Sequence, residues 1–231
     1  MIQNYNQFVE TLLTAGFSLG GGNDKGIYAI IPWGWQQEAP YPTPVSWHTG
    51  QPDTDPWEWR MRVLNERNDI AYAKLFFKQS GFITKEWYPY FLAARRNNTS
   101  FAEAYEAGIL SHHAKRIYTA IEASGVLPSH IIKTTAGFTK EEKPAFDRAL
   151  VELQMAMYIT MCGQQVKINS AGEEYGWSSN VFCTTDVFFG AEMMTKANTI
   201  DETEAYEKIK TQVLTLNPLA EEKTIKKFIL G

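Results

Sequence analysis

Between about Leu110 and Val187 the hydrophobic period of the sequence switches once, from a helical repeat to strand alternation, and this switch constrains the fold more than any other feature. Ser111 is placed to cap a helix running to Ser124, with Ile117, Ala120 and Ile121 as its apolar stripe and Gly125 as its stop. A second helix begins near Pro128, turns Ile131 and Ile132 inward and stops at Gly137. The third carries Phe146, Leu150, Leu153 and Met157 at spacings of four, three and four. Tyr158 to Cys162 then reads as a strand, Gly163 as its turn and Val181 to Thr184 as the returning strand. Three helices followed by a β-hairpin predict a winged-helix unit.

Elsewhere the chain is punctuated by cap residues followed three positions later by glutamate: Asp55 and Glu58, Ser100 and Glu103, Thr139 and Glu142, Asp201 and Glu204. Pro56 after Asp55 suits a first helical position, because its missing N–H costs nothing there. Asn4 to Ala15 places Phe8, Leu12 and Ala15 on one helical face ahead of Gly16. The triplet Gly20-Gly21-Gly22 leads to a short strand, Ile27 to Ile31; with no Lys-Ser/Thr and no helix start behind it, it is not a phosphate loop. Ile70 to Phe77 reads as a strand, Phe82 and Ile83 lead to a helix capped by Thr84, and Phe101 to Ala107 forms a short helix ended by Gly108. Asp201 to Leu214 and Leu219 to Leu230 supply two closing helices. The predicted architecture is α+β and helix-rich. A mixed N-terminal region (residues 1–108) carries a Trp-rich loop, a winged helix spans 109–190, and a C-terminal helical segment (191–231) packs back on the body.

With 231 residues, 44% of them hydrophobic, the chain can bury a substantial core. Its formal charge of −4 gives no global basic field, so nucleic-acid binding needs a local patch. No basic leader precedes an apolar run, and no segment is long and apolar enough for a membrane span; a cytoplasmic protein without a membrane partner is expected. Cys162 and Cys183 both fall on the strands of the predicted wing, as small buried thiols expected to be reduced. No Ser-His-Asp, Cys-His or metal-ligand spacing stands out, so no metal, no cofactor and no catalytic residue is assigned, and His112 and His113 read as surface residues.

Within residues 110–190, seven cations face eight carboxylates, which argues against tight, autonomous DNA binding. Residues 51–100 hold eight cations against six carboxylates, and five of the seven tryptophans lie between residues 33 and 59. Arginine beside aromatics can hold an unstacked base. The outward face of the third helix offers Lys143, Arg148, Glu152 and Met155. Arg62, Arg95, Arg148 and Lys167 are therefore the expected nucleic-acid contacts, with weak, salt-sensitive DNA binding. A small-molecule or protein partner is the alternative, using a cleft formed by His48, Asp53, Trp59, Arg62 and Lys74. Trp57, Met61 and Leu64 are expected to bury one face of their helix. Lys74, on a strand apolar on both faces, is expected to lie partly buried against Asp53, Glu58 or Asp69.

Several residue runs carry a resemblance: Gly108-Ile109-Leu110-Ser111, Ala114-Lys115-Arg116-Ile117-Tyr118, Phe146-Asp147-Arg148-Ala149-Leu150, Glu152-Leu153-Gln154 and Tyr158-Ile159-Thr160. Upstream, Asp55-Pro56-Trp57-Glu58-Trp59-Arg60 and Ala71-Tyr72-Ala73-Lys74 extend it over most of residues 50 to 190. These runs resemble the AlkZ-related proteins, bacterial chains similar to winged-helix DNA glycosylases of the AlkZ type. The resemblance implies a winged-helix fold. The enzymes of that type orient an attacking water with a glutamine-x-glutamine motif. This sequence has only the adjacent pairs Gln36-Gln37 and Gln164-Gln165, so a relative without base excision is the expectation.

Overall fold

Asn4 opens the first helix by accepting the Gln7 N–H, and Gly16, at φ +89°, closes it; between them α1 (Tyr5–Ala15) buries Phe8, Val9 and Leu12. In the computed structural model, which describes residues 1–169 and 171–231, β1 (Phe17–Leu19) follows directly. The expected strand at Ile27 to Ile31 is absent. Tyr28 accepts the Leu19 N–H, but the Ser18 hydroxyl takes the Ile30 N–H, so a side chain replaces the ladder and the segment stays irregular.

The loop that follows is anchored by one fully buried carboxylate. Asp55 accepts the N–H groups of His48 (3.0 Å), Gly50 (2.9 Å) and Trp57 (2.8 Å), and so both caps α2 (Pro56–Glu66) and shapes the turn before it. The buried face of α2 is Trp59, Met61, Val63 and Leu64, whereas Trp57 is 41% exposed, contrary to expectation. Trp57 is turned toward the loop, against His48, with the Arg60 guanidinium 3.3 Å over its ring.

β2 (Ile70–Phe76) and β3 (Gln79–Thr84) form an antiparallel hairpin. Their pairing shifts between Ala73 and Phe76, so Phe76 joins Ala71, Ala73 and Leu75 in one cluster while Ile70 and Tyr72 belong to the other, whereas strict alternation along the strand would place Phe76 with Tyr72. Thr84 ends β3 and does not cap the next helix. That helix, α3 (Tyr88–Arg96), starts behind Trp87 without a side-chain cap, because the Thr84 carbonyl receives the Trp87 N–H in an intervening turn. Ser100 and Glu103 form a complete capping box at α4 (Phe101–Glu106).

Ser111 caps α5 (His112–Ser124), and β4 (Val126–Pro128) leads into α6 (Ser129–Thr135), of which Ile132 is buried while Ile131 is 39% exposed. Only seven residues long, α6 lays one apolar position on the core. Thr139 and Glu142 exchange backbone-to-side-chain bonds one turn ahead of α7 (Lys143–Met155). After α7 come β5 (Ile159–Gln165) and β6 (Ser179–Thr184). Gly163 does not turn the chain; it lies within β5, next to a bulge between Met161 and Gly163, and β5 runs on to Gln165. Four helices finish the chain: α8 (Thr185–Phe189), α9 (Ala191–Asn198), α10 (Glu202–Leu216) and α11 (Glu222–Leu230).

All named strands join one antiparallel sheet, in the order β1-β3-β2-β5-β6-β4. One apolar cluster combines Phe8, Trp59, Tyr72, Phe82, Ile117, Ile159 and Phe182; the other combines Phe17, Leu75, Phe91, Ile209 and Phe228. The alternation of Tyr72 and Leu75 between them puts one cluster on each face of the sheet. The fold is thus α+β. Among the described residues no helix is long and apolar enough to cross a membrane.

Arg116 ties the three helices before the hairpin together: its Nε donates to the Ala136 carbonyl (3.0 Å) and its Nη1 to the Glu142 carboxylate (2.9 Å). That guanidinium, together with the Thr139 N–H, holds the Glu142 carboxyl down at about 2. The folded value lies below the ordinary 4.5, so the tie contributes fully above that pH and is lost as pH falls from about 4.5 towards 2. Urea midpoints measured through this window should fall less steeply for Arg116→Gln than for the parent chain. Identical slopes would remove the assigned role.

Candidate nucleic-acid interface

β2 pairs with β5 at Tyr72↔Met161, and just beyond that point β5 begins, leaving the β2 backbone without a partner strand. The Gln154 side chain continues the ladder in its place. Its Oε1 accepts the Lys74 N–H (3.0 Å) while its Nε2 donates to the Leu150 carbonyl (2.8 Å), and the residue is 1% exposed. The C-terminal end of α7 is thereby fixed against β2, with Lys74 at the junction.

Arg95, in the last turn of α3, completes the floor. Its Nε donates to the Ile229 carbonyl (2.7 Å), its Nη1 to those of Leu75 (2.9 Å) and Met155 (2.8 Å), and its Nη2 to that of Phe228 (2.8 Å). One guanidinium therefore satisfies carbonyls at the ends of β2, α7 and α11. Burial lowers its pKa to about 10, and it remains cationic at neutral pH.

Above this floor lies a cleft of about 730 Å³, bounded by β2, the outward face of α7, the segment before α5 and the end of α11. Leu110, Val151, Met155, Ala156 and Leu230 make it apolar below, and Lys74, Lys78 and Arg148 stand around it. Two carboxylates also line it, and both are engaged: Asp147 pairs with Lys143 at 2.6 Å, and Glu152 accepts the N–H and the hydroxyl of Ser111 at 2.7 Å each. Among the described residues Lys74, Lys78 and Arg148 make no ion pair. Of the acids expected to partner Lys74, Asp69 is held by Arg67 (2.6 Å), while Asp53 and Glu58 line a separate groove, Asp53 beside Arg62 (3.7 Å).

Lys78 reaches the cleft through a two-residue hairpin turn in which Phe77 (φ +53°) and Lys78 (φ +64°) both adopt the left-handed conformation. Neither is glycine or asparagine, so the turn carries strain that a sequence suited only to folding would avoid.

The other expected site residues do not converge here. Asp53 and Arg62 line a separate groove of about 780 Å³ along α2, into which Gln164 of β5 also projects. The Arg62 guanidinium is occupied there, bonded to Glu66 (2.8 Å) and the Pro52 carbonyl (3.1 Å) and lying 3.9 Å over the Tyr5 ring. Trp59 is fully buried against Phe8 and Tyr5 and presents no surface to a cleft. His48 is exposed among Trp35, Trp47 and Trp57, its ring 4.8 Å from that of Trp57. Lys167 lies past the end of β5, in the segment joining the hairpin strands. Among the described residues no cluster of three His, Cys, Asp or Glu could hold a metal ion. Sequence reasoning passed over Lys78 as a site residue, because it sits in a turn without turn residues.

The chain matches the family model described as AlkZ related over residues 2–230. No curated protein and no solved structure matches it.

Proposed function

The chain belongs to the AlkZ-related family, and from that premise we propose that it is a winged-helix protein that engages nucleic acid weakly through the cleft beside α7 and does not excise bases. The order α5, β4, α6, α7, β5, β6 supports the winged-helix reading, with α7 in the position of the recognition helix and β5–β6 as the wing. The observation that carries the binding reading is the set of Lys74, Lys78 and Arg148, cations without carboxylate partners around an apolar floor. Unpaired cations bind phosphate and release counterions, while an apolar floor accepts the face of an unstacked base. A net charge of −4 keeps the affinity modest.

The reading without excision follows from the missing glutamine-x-glutamine pair and from Gln154. Its amide is bonded to the Lys74 N–H and the Leu150 carbonyl and the residue is 1% exposed, so it is held away from the solvent from which an attacking water would come.

Fluorescence anisotropy with labelled single-stranded and duplex DNA at low salt tests the proposal. Arg148→Ala and Lys74→Gln should each weaken binding several-fold. Lys78→Gly separates binding from folding, since it removes a cation while relieving a positive-φ strain worth about 1 kcal/mol. It should bind more weakly and unfold no more readily than the parent. Unchanged affinity in all of these variants would refute the assigned interface, and release of alkylated bases by the purified protein would refute the non-excising half.

A further inference from the structure

We propose that the cleft beside α7 also binds a small ligand of another class, a free medium-chain fatty carboxylate, in competition with nucleic acid. The make-up of the floor points to it. Leu110, Val151, Met155, Ala156 and Leu230 are all aliphatic or thioether side chains, and among the described residues no aromatic ring lines the cleft. Stacking platforms for bases are built from aromatic rings, whereas a flexible chain of methylenes is held by aliphatic surface alone.

The apolar surface is elongated. Arg148, Val151 and Met155 follow one another on α7 at spacings of three and four, so they share one helix face and span about 10 Å along the axis. A cation stands at one end of this strip, and the unbranched Met155, which adapts to the shape of what it packs against, stands at the other. Ile109, 69% exposed, and Leu230, 38% exposed, add large apolar groups that face water while the cleft is empty.

Charge fixes the sign of the head group. Lys74, Lys78, Arg95 and Arg148 line the cleft against Asp147 and Glu152, an excess of two cations, and both carboxylates are already engaged by Lys143 and Ser111. A carboxylate at the rim therefore meets lysines from the β2 side and an arginine from α7 while its chain lies along the floor. The cleft, about 730 Å³, has the size of a small-molecule site. Because the same cations serve both ligands, one excludes the other. The two differ in what drives them: phosphate neutralisation for nucleic acid, and buried methylenes for the carboxylate.

Isothermal titration of the full chain with octanoate, decanoate and dodecanoate, each below its micelle concentration, tests this. The expected result is saturable binding that tightens about fourfold per added methylene, with decanol several-fold weaker than decanoate. Lys78→Gly should weaken decanoate and leave decanol unchanged. Ile109→Ser, at an exposed position, should weaken decanoate several-fold with an unaltered urea midpoint. Dodecanoate should also displace labelled DNA in an anisotropy assay. An affinity independent of chain length, a decanoate affinity unaffected by Ile109→Ser, or dodecanoate that binds without displacing bound DNA would each overturn the proposal. The two readings of the cleft fail separately: DNA binding without dodecanoate binding overturns this one alone, and chain-length-dependent binding of the carboxylates by a protein that binds no DNA supports this one and refutes the nucleic-acid interface.

Discussion

Replacing Arg95 by methionine is expected to destabilise the fold by about 3–5 kcal/mol, although the substitution removes no acid partner. The reason is the geometry of its donors. Four carbonyls, of Leu75, Met155, Phe228 and Ile229, point at one guanidinium, and methionine fills the volume while leaving all four unpaired. Each orphaned buried carbonyl costs about 1–3 kcal/mol before relaxation and water entry recover part of the loss. Arg95→Lys should recover only part of the stability, because one ammonium cannot span carbonyls from three elements. Urea denaturation gives both values. A loss below about 1 kcal/mol for Arg95→Met would show that water replaces the guanidinium without cost.

A loss of similar size, about 3–5 kcal/mol, is expected for Trp59→Ala, which empties a fully buried site between Phe8 and Tyr5. Trp57→Ala, two residues away, should cost about 1 kcal/mol or less, since its ring is 41% exposed and is covered on one side by a mobile class of side chain, Arg60. Trp59→Phe should fall well short of the alanine loss, because the indole N–H has no partner in the core and its removal offsets part of the lost volume. Equal losses at positions 57 and 59 would contradict the burial described for α2.

These two tryptophans also show where the sequence was legible. Spacing from Trp57 through Met61 to Leu64 fits a helical stripe, but so does Trp59 with Val63. The choice depends on how α1 meets α2, a long-range contact with no local signature. Helix starts were more readable, because a cap is a short-range bond: Asp55, Ser100, Ser111 and Asp201 cap where the sequence placed them, whereas Thr139 closes a turn ahead of α7, whose N-cap is Glu142. Glycine gave mixed results. Gly16 and Gly125 end helices, but Gly163 sits beside a bulge inside β5, and a bulge and a turn use glycine for the same conformational reasons.

The candidate site was legible only in parts. Arg148 and Lys74 stood out as cations on elements otherwise apolar or outward-facing, and the structure brings them to one cleft. Arg95 reads in sequence as a nucleic-acid contact near the end of a helix; its guanidinium is spent instead on four carbonyl partners from segments 20 to 134 residues distant, which leave no local signature. Lys78 was obscured because its turn has the geometry of an asparagine-glycine turn without its residues. Asp53 and Arg62, read as cleft residues with Lys74, belong to a different groove, since proximity in sequence to the tryptophan-rich loop says nothing about which side of the sheet a side chain reaches.

The central claim, that Lys74, Lys78 and Arg148 form an electrostatic nucleic-acid interface, is tested most directly by the salt dependence of DNA binding. About three phosphate contacts correspond to a log–log slope near −3 for duplex DNA, with affinity falling steeply between low and physiological salt. Lys78→Gly should reduce the magnitude of that slope by about 1 while the chain stays folded. A measured slope near −3 for the parent and near −2 for the variant is the expected result; absence of binding at low salt, or a slope unchanged by the substitution, would contradict the account.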